Sequence, residues 1–534
     1  MTRTIVIGAG VAGLATAALL AREGHEVHVL EKNERVGGRA GLIERDGFRF
    51  DTGPSWYLMP RVFDHYFEML GTSTQEQLDL TFLRPGYKVF SEPAANGTAQ
   101  EPLTIPLGKH RVLDTFERVE PGSAEKLTKY LDSARTTTDM AEKYFLYNPF
   151  TKAGSLAQGE VLASVPELTG LLATSLESYV AKRFEHPVLR QVLGYPAVFL
   201  GTNPADAPAM YHLMSALDLD EGVQYPMGGF WSIVERLEAL AREAGVRITT
   251  GAEAMRILTR KSSKASKLSR KQREAAGVIW RDADGIEQSE TADIVVSGAD
   301  LHHTETRLLL ETDRSYPEQW WQKRTSGPGA VLVMLGVQGE LPELPHHSLF
   351  FTEDWHKNFD AIFGDEKRIP DPASIYVCKP SATDPSVAPE GHENLFILIP
   401  VPADPGLGRG GSDGAGDAAI ERAADAAIDQ IESWAGVTGL RDRIVVRETL
   451  GPADFQQDYY SWQGGMLGPA HILSQSAMFR AQNASKKVDG LFYAGGTTAP
   501  GVGVPMCLIS AELVLKRIRG DHSAGPLPVP AGRL

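Results

Sequence analysis

The stretch "TIVIGAGVAGLATAALLAREGHEVHVLE", residues 4–31, decides the fold. Its first four residues are β-branched and apolar, as in a central parallel strand covered on both faces. Gly8-x-Gly10-x-x-Gly13 follows at once, then an alanine- and leucine-rich helix, a turn at Gly24 and a second strand ending in Glu31. Gly8 permits a tight turn, Gly10 lets the backbone approach a pyrophosphate, and Gly13 lets helix and strand pack closely. The helix start supplies free N–H groups and a partial positive charge for phosphates. A carboxylate ending the second strand accepts hydrogen bonds from a ribose diol and disfavours a 2′-phosphate. Strand, loop, helix and acid in this order predict a dinucleotide site.

The spacing alone is weak, because Gly406-x-Gly408-x-x-Gly411 repeats it. There Pro402 and Pro405 separate the glycines from the preceding apolar run, and no acid-terminated strand follows. That segment reads as a mobile surface loop.

Near the other end, "VDGLFYAGGTTAPGVGVPMCLISAEL" runs from a strand through glycines into a helix. Pro505 sits in that helix's first turn, where a missing N–H costs nothing. The two ends of the chain are therefore expected to share one cofactor. At 534 residues the chain has room for two or more domains and a large cavity. A net charge of −15 disfavours nucleic acid. The two cysteines, Cys378 and Cys507, have no C-x-x-C spacing and fit a reducing cytoplasm. Neighbours such as His302–His303 and His346–His347 would point different ways on a strand, so no metal is expected. Apolar residues 5–21 after Arg3 fit a secretory leader poorly, because glycines interrupt them and a strand follows.

After Glu31 comes "KNERVGGRAGLIERDGFRFDTGPSWY". Together with the glycine loop, Arg35-Val36-Gly37-Gly38-Arg39 resembles the FAD-binding amine oxidase and carotenoid desaturase superfamily. Within it the chain most resembles bacterial phytoene desaturases, at "FDTGPSW" (50–56), 222–257, 292–309, 380–402 and the closing glycine motif. The resemblance implies an α/β fold, a Rossmann-like FAD-binding domain with a discontinuous α+β substrate domain. The FAD-binding domain would comprise residues 1–90, 225–310 and 485–520, and the substrate domain 91–224 and 311–484. Residues 521–534 read as a disordered tail.

The resemblance also implies the cofactor contacts. Beside Gly8, Gly10, Val11, Ala12, Gly13 and Glu31, they would be Lys32, Gly37, Gly38, Arg39, Gly53, Pro54, Ser55 and Ala254. From the closing motif come Gly495, Gly496, Thr497, Gly503, Val504, Pro505 and Met506. The chain departs from its relatives at Ala499, where histidine is frequent, at Met506, where a small residue is frequent, and at Ala254, usually valine. The implied reaction is FAD-dependent desaturation of phytoene towards lycopene in carotenoid biosynthesis, a hydride passing from an allylic carbon to flavin. Isomerisation or desaturation of another carotenoid, amine oxidation, or a non-enzymatic prenyl-protein escort are the alternatives. No side chain stands out as a base. Met210, Tyr211 and Met214 fit a tunnel wall or ordinary core. Residues 259–275, rich in lysine and arginine, read as a solvated hairpin, or as a contact with anionic lipid. A cytoplasmic protein held peripherally at a membrane surface is expected.

Overall fold

The computed structural model describes residues 1–94, 96–152, 165–262 and 271–530. A five-stranded parallel sheet runs in the order Leu491–Tyr493, Ile294–Ser297, Arg3–Ile7, Glu26–Leu30 and Arg247–Thr249. Both ends of the chain thus enter one sheet, with Val6 beside Val296 and Val29. One face is covered by the helices Val11–Arg22, Trp231–Glu243 and Val504–Arg519. The other packs Ile5, Ile7 and Val295 against Ala254, Ile257 and Val278 of an antiparallel sheet. Burial on both faces is why the central strands Arg3–Ile7 and Ile294–Ser297 are apolar at successive positions such as Ile5, Val6 and Ile7, while Glu26–Leu30 keeps a buried His28.

A seven-stranded sheet forms the second half, in the order Ile444–Leu450, Gly329–Gln338, His392–Val401, Ile375–Cys378, His347–Phe351, Tyr87–Ser91 and Leu103–Ile105. Helix Ala418–Ala435 lays Ile420, Ala424, Ile428 and Ile431 against one of its faces. These fall at helical spacing, so one apolar stripe meets the sheet. The opposite face turns to Phe116, Phe184, Leu189 and Tyr195 of the helical layer.

Several sequence expectations change. Tyr87–Ser91 belongs to the seven-stranded sheet, so the boundary at 90 cuts a strand. Residues beyond 310 still pack on the nucleotide-binding side: Tyr316, Trp321 and Trp462 share a core with Ile5, Leu30 and Tyr493. The tail is packed rather than disordered over its first part. Ala524 and Leu527 are buried, Leu527 N–H donates to Glu512 Oε1 at 2.6 Å, and the buried Lys516 ammonium donates to the Tyr147 and Ser523 carbonyls. A buried cation needs such carbonyls, and the tail supplies two, those of Ser523 and Gly525. The loop at 406–411 is docked, not free. Gly410 N–H donates to Asp454 Oδ2 at 2.7 Å, and a Cβ there would lie 1.9 Å from the Thr449 carbonyl oxygen. Gly410 thus serves close backbone approach to a strand. His346 precedes the strand His347–Phe351 instead of lying on it, so the two rings meet, with centroids 4.6 Å apart, rather than diverge. The strands Glu253–Lys261 and Arg273–Arg281 pair as a hairpin, while 263–270, the middle of the basic run, fall outside the described residues.

Candidate active site

The first helix begins at Val11 with Gly10 as its N-cap, and neither a capping side chain nor an acid occupies its first turn. Its leading N–H groups therefore remain available to an anion. Gly13 has no room for a side chain, because a Cβ would lie 1.9 Å from the Gly8 carbonyl oxygen. Gly10 differs: its φ of −70° suits any residue, and a Cβ would find only the Gly37 carbonyl oxygen, 3.9 Å away. The space in front of Gly10 belongs to a cavity of about 580 Å³.

Glu31 is buried at the edge of this cavity. Its Oε2 accepts from Ala9 N–H (2.6 Å) and its Oε1 from Asn33 N–H (2.9 Å). Burial raises its pKa and these N–H groups oppose the rise. The carboxylate thus fixes the glycine loop and keeps further lone pairs for a ligand. Gly37 and Gly38, both at positive φ, fold back on the loop, with Gly37 N–H donating to the Ala9 carbonyl at 2.8 Å. Arg39 donates to Ser461 Oγ at 2.8 Å, while its buried Nε has no partner among the described residues. An unpaired guanidinium N–H beside uncapped helix N–H groups is the donor set a diphosphate requires.

The far end of the chain completes this wall. Gly495, Gly496, Gly503, Val504, Pro505 and Met506 line the same cavity as Gly8, Gly10, Val11 and Ala12. Helix Val504–Arg519 also starts without an acid or a side-chain cap, and its last turn carries Lys516, Arg517 and Arg519. Its positive end is left facing the cavity. Lys32, Gly37, Gly38, Arg39, Gly53, Pro54, Ser55 and Ala254 line it too. Two sequence-selected residues do not. Gly13 packs inward as described, and Thr497 turns away, its Oγ1 accepting from Leu301 N–H at 3.2 Å.

Beyond the glycines the cavity becomes apolar, running past Phe145, Leu146, Met210, Tyr211 and Met214 to Leu349, Leu398 and Phe359. Trp56 is part of the cavity wall: it stacks on His347 at 4.5 Å and touches Tyr87, Phe199 and Tyr376. Behind it Tyr195 and Tyr87 both donate to Asp218 Oδ2, at 2.8 and 3.1 Å. Burial pushes Asp218 up to about 7, with the two hydroxyls opposing. An acid whose folded-state pKa is raised holds its proton more readily in the native protein than in the unfolded chain. Its stabilising contribution is full below the ordinary value of 3.8 and is lost as pH rises through about 7. Asp51, pushed up to about 6 chiefly by burial, acts in the same direction. Asp218→Asn should therefore flatten the decline of the thermal midpoint between pH 4 and 7, by the equivalent of a few kcal/mol at most. An unchanged pH profile would remove Asp218 from this role.

Sequence reasoning missed several residues that hold the site. Asp51 accepts from the N–H groups of Phe230 (2.7 Å) and Trp231 (2.9 Å), fastening the turn 50–56 to the start of helix Trp231–Glu243. Buried Arg480 donates to the carbonyls of Thr498 (3.0 Å), Gly496 (2.6 Å), Pro469 (3.2 Å) and Gln475 (3.3 Å), and burial lowers its pKa to about 10. His471 Nε2 accepts from Val502 N–H at 3.3 Å, and its Nδ1 meets Tyr211 OH at 3.1 Å. Burial keeps that imidazole neutral, well below the ordinary range. A Cβ on Gly501 would lie 2.2 Å from it. Asp51 sits inside a segment that already stood out, whereas Arg480 and His471 carry no local pattern.

The flavin containing amine oxidoreductase family model matches residues 11–518. The chain is 38% identical over 95% of its length to a carotenoid 3,4-desaturase of Haloarcula japonica, covering 96% of that protein. It is 32% identical to the zeta-carotene-forming phytoene desaturase of Myxococcus xanthus, covering 97% of this chain and 93% of that one. Among solved structures it resembles the cyclohexylamine oxidase of Brevibacterium oxydans, with a TM-score of 0.57 at 16% identity, covering 97% of this chain and 99% of that one. A putrescine oxidase bound to putrescine gives a TM-score of 0.59 at 14% identity, covering 97% and 99%, a likeness of fold. The chain therefore belongs to the carotenoid desaturase branch of the flavin containing amine oxidoreductases, and is an FAD-dependent oxidoreductase.

Proposed function

We propose that the chain desaturates an acyclic carotenoid, taking phytoene towards lycopene. The observation that carries this is the continuity of the cavity, with diphosphate and ribose contacts at one end and hydrocarbon-lined walls at the other. A hydrocarbon substrate offers no charge, so its affinity must come from apolar burial. Bound FAD supplies the two-electron acceptor. The chain's own groups orient and shield. Trp56, Phe199 and Leu349 exclude water, and the start of helix Val504–Arg519 favours negative charge near it. His471 holds loop 499–503 in place, its Nε2 being engaged by Val502.

The higher identity to a 3,4-desaturase favours one alternative, desaturation of a carotenoid that is already conjugated. Phytoene and lycopene offered separately in liposomes, under anaerobic single turnover, distinguish the two. Loss of flavin absorbance with gain of one double bond per flavin by phytoene, read as the ultraviolet absorption of a longer polyene, is the expected result. Turnover of lycopene alone would move the assignment to the 3,4 position, and flavin bleaching only by an amine would overturn desaturation.

Delivery from a bilayer is part of the same proposal. No helix among the described residues is long and apolar enough to cross a membrane. Leu473, Met478 and Phe479, exposed at 45%, 46% and 58%, flank Ser476 and Ala477 of the cavity wall. Large apolar side chains exposed beside an apolar cavity suit insertion into lipid. Burying each is worth about 1.5–3 kcal/mol. Met478→Ser with Phe479→Ser should thus reduce liposome flotation at least tenfold. Replacing lysines 261–271 with glutamine should weaken binding only on anionic lipid at low salt. Flotation unchanged by both sets would end the membrane proposal.

A further inference from the structure

Behind Trp56, outside the cavity, the fold gathers two imidazoles and a thiol. His347 and Cys378 are cross-strand partners in the antiparallel pair His347–Phe351 and Ile375–Cys378. His346, just before the strand, is held beside them because its carbonyl accepts from Lys379 N–H at 2.7 Å. All three side chains are buried, and one ligand atom from each lies within 4.8 Å of the others.

The hydrogen bonds leave the ring nitrogens in an unusual state. His346 Nδ1 lies 2.8 Å from Thr383 Oγ1, and His347 Nδ1 lies 2.9 Å from Tyr376 OH. Both Nε2 atoms are buried without a hydrogen-bond partner among the described residues. In the tautomer that donates Nδ1–H to these hydroxyls, each imidazole presents a free Nε2 lone pair, the arrangement of metal ligands whose second nitrogen fixes the ring. Tyr376 OH can pass its own proton on to Ser55 Oγ, 2.6 Å away, so the donor chain closes.

We propose that His346, His347 and Cys378 bind a single thiophilic d10 ion, Cu⁺ or Zn²⁺. A thiolate with two imidazoles is a soft-to-borderline set that selects these metals over Mg²⁺ or Ca²⁺. Binding releases the Cys378 thiol proton to solvent as the sulfur–metal bond forms, and the imidazoles stay neutral. Three donors satisfy Cu⁺, whereas Zn²⁺ takes a water as its fourth ligand. The ion would tie the strand pair to the loop carrying Thr383 and would brace Trp56, which stacks on His347. This site is independent of which carotenoid the cavity takes.

The test uses the full-length flavoprotein, equilibrated anaerobically with chelator-buffered Cu⁺ in one arm and buffered Zn²⁺ in the other. Metal and flavin are then measured per chain. One ion per chain in either arm is expected. Cys378→Ser and His346→Gln should weaken its affinity at least 100-fold, and Thr383→Val about 10–100-fold, with flavin content unchanged. No retained ion, or equal retention by Cys378→Ser, overturns the site. Should the variants lose flavin, X-ray absorption of the wild-type adduct decides. A shell with one sulfur at about 2.3 Å and two imidazoles supports the site, and a shell without sulfur overturns it.

Discussion

Gly13→Ala protein should be recovered largely misfolded, while Gly10→Ala should be folded and colourless. The two glycines share a motif and differ in what their missing side chains would meet. At Gly13 a Cβ would stand 1.9 Å from the Gly8 carbonyl oxygen, so the helix must separate from the strand beneath it. Backbone cannot yield as a flexible side chain does, and the cost of overpacking extends through a core that includes Leu14, Ala15 and Val29. At Gly10 the backbone is in an ordinary extended conformation, and the nearest atom to a Cβ is 3.9 Å away. The methyl would project into the cavity in front of Gly10; if the FAD diphosphate lies there, stability survives and cofactor affinity falls at least 100-fold. Circular dichroism and flavin content read the two effects separately. Gly10→Ala protein that retains FAD in full would remove the diphosphate from this loop.

Arg480→Met should cost about 3–5 kcal/mol and release the flavin. The guanidinium donates to carbonyls from two segments, Pro469 and Gln475 on one side, Gly496 and Thr498 on the other. A methionine of similar length fills the volume and leaves those buried acceptors unpaired, each costing about 1–3 kcal/mol before relaxation. Arg480→Lys should recover only part of the loss, since an ammonium cannot reach four acceptors in the guanidinium plane. A denaturant midpoint and FAD retention equal to wild type in Arg480→Met would show that loop 495–498 is held by other means.

What the sequence made legible, and what it did not, follows the range of each interaction. The glycine loop, Glu31 and the helix starts are local patterns, imposed by backbone geometry within a few residues of themselves. The stretch Gly495–Gly503 could be joined to Gly8–Gly13 only because each runs from an apolar strand into the start of a helix. Arg480, His471 and Asp51 act on groups distant in the chain or on bare carbonyls, and no periodicity marks such a residue. His346 and His347 depart from the expected divergence because alternation applies only along a strand, and His346 stands just before it. The second glycine loop misled for a related reason, since glycine signals close approach without saying whether the visitor is a ligand or a neighbouring strand.

The sheet order has a consequence for how the protein is made. Arg3–Ile7 is flanked by Glu26–Leu30 and by Ile294–Ser297, and the latter pairs in turn with Leu491–Tyr493. A chain leaving the ribosome can form the first strand pair and the phosphate loop early. The second neighbour of Arg3–Ile7 arrives only after nearly three hundred residues, and the closing glycine segment later still. During that interval the five-residue edge of Arg3–Ile7, mostly β-branched, stays unpaired, and such edges invite association with other chains. The helix-rich segments made in between can cover their own apolar surfaces locally, whereas the nucleotide sheet must wait. Flavin capture is therefore a late event of biosynthesis, and a ribosome stalled short of Leu491 would hold a chain unable to bind it.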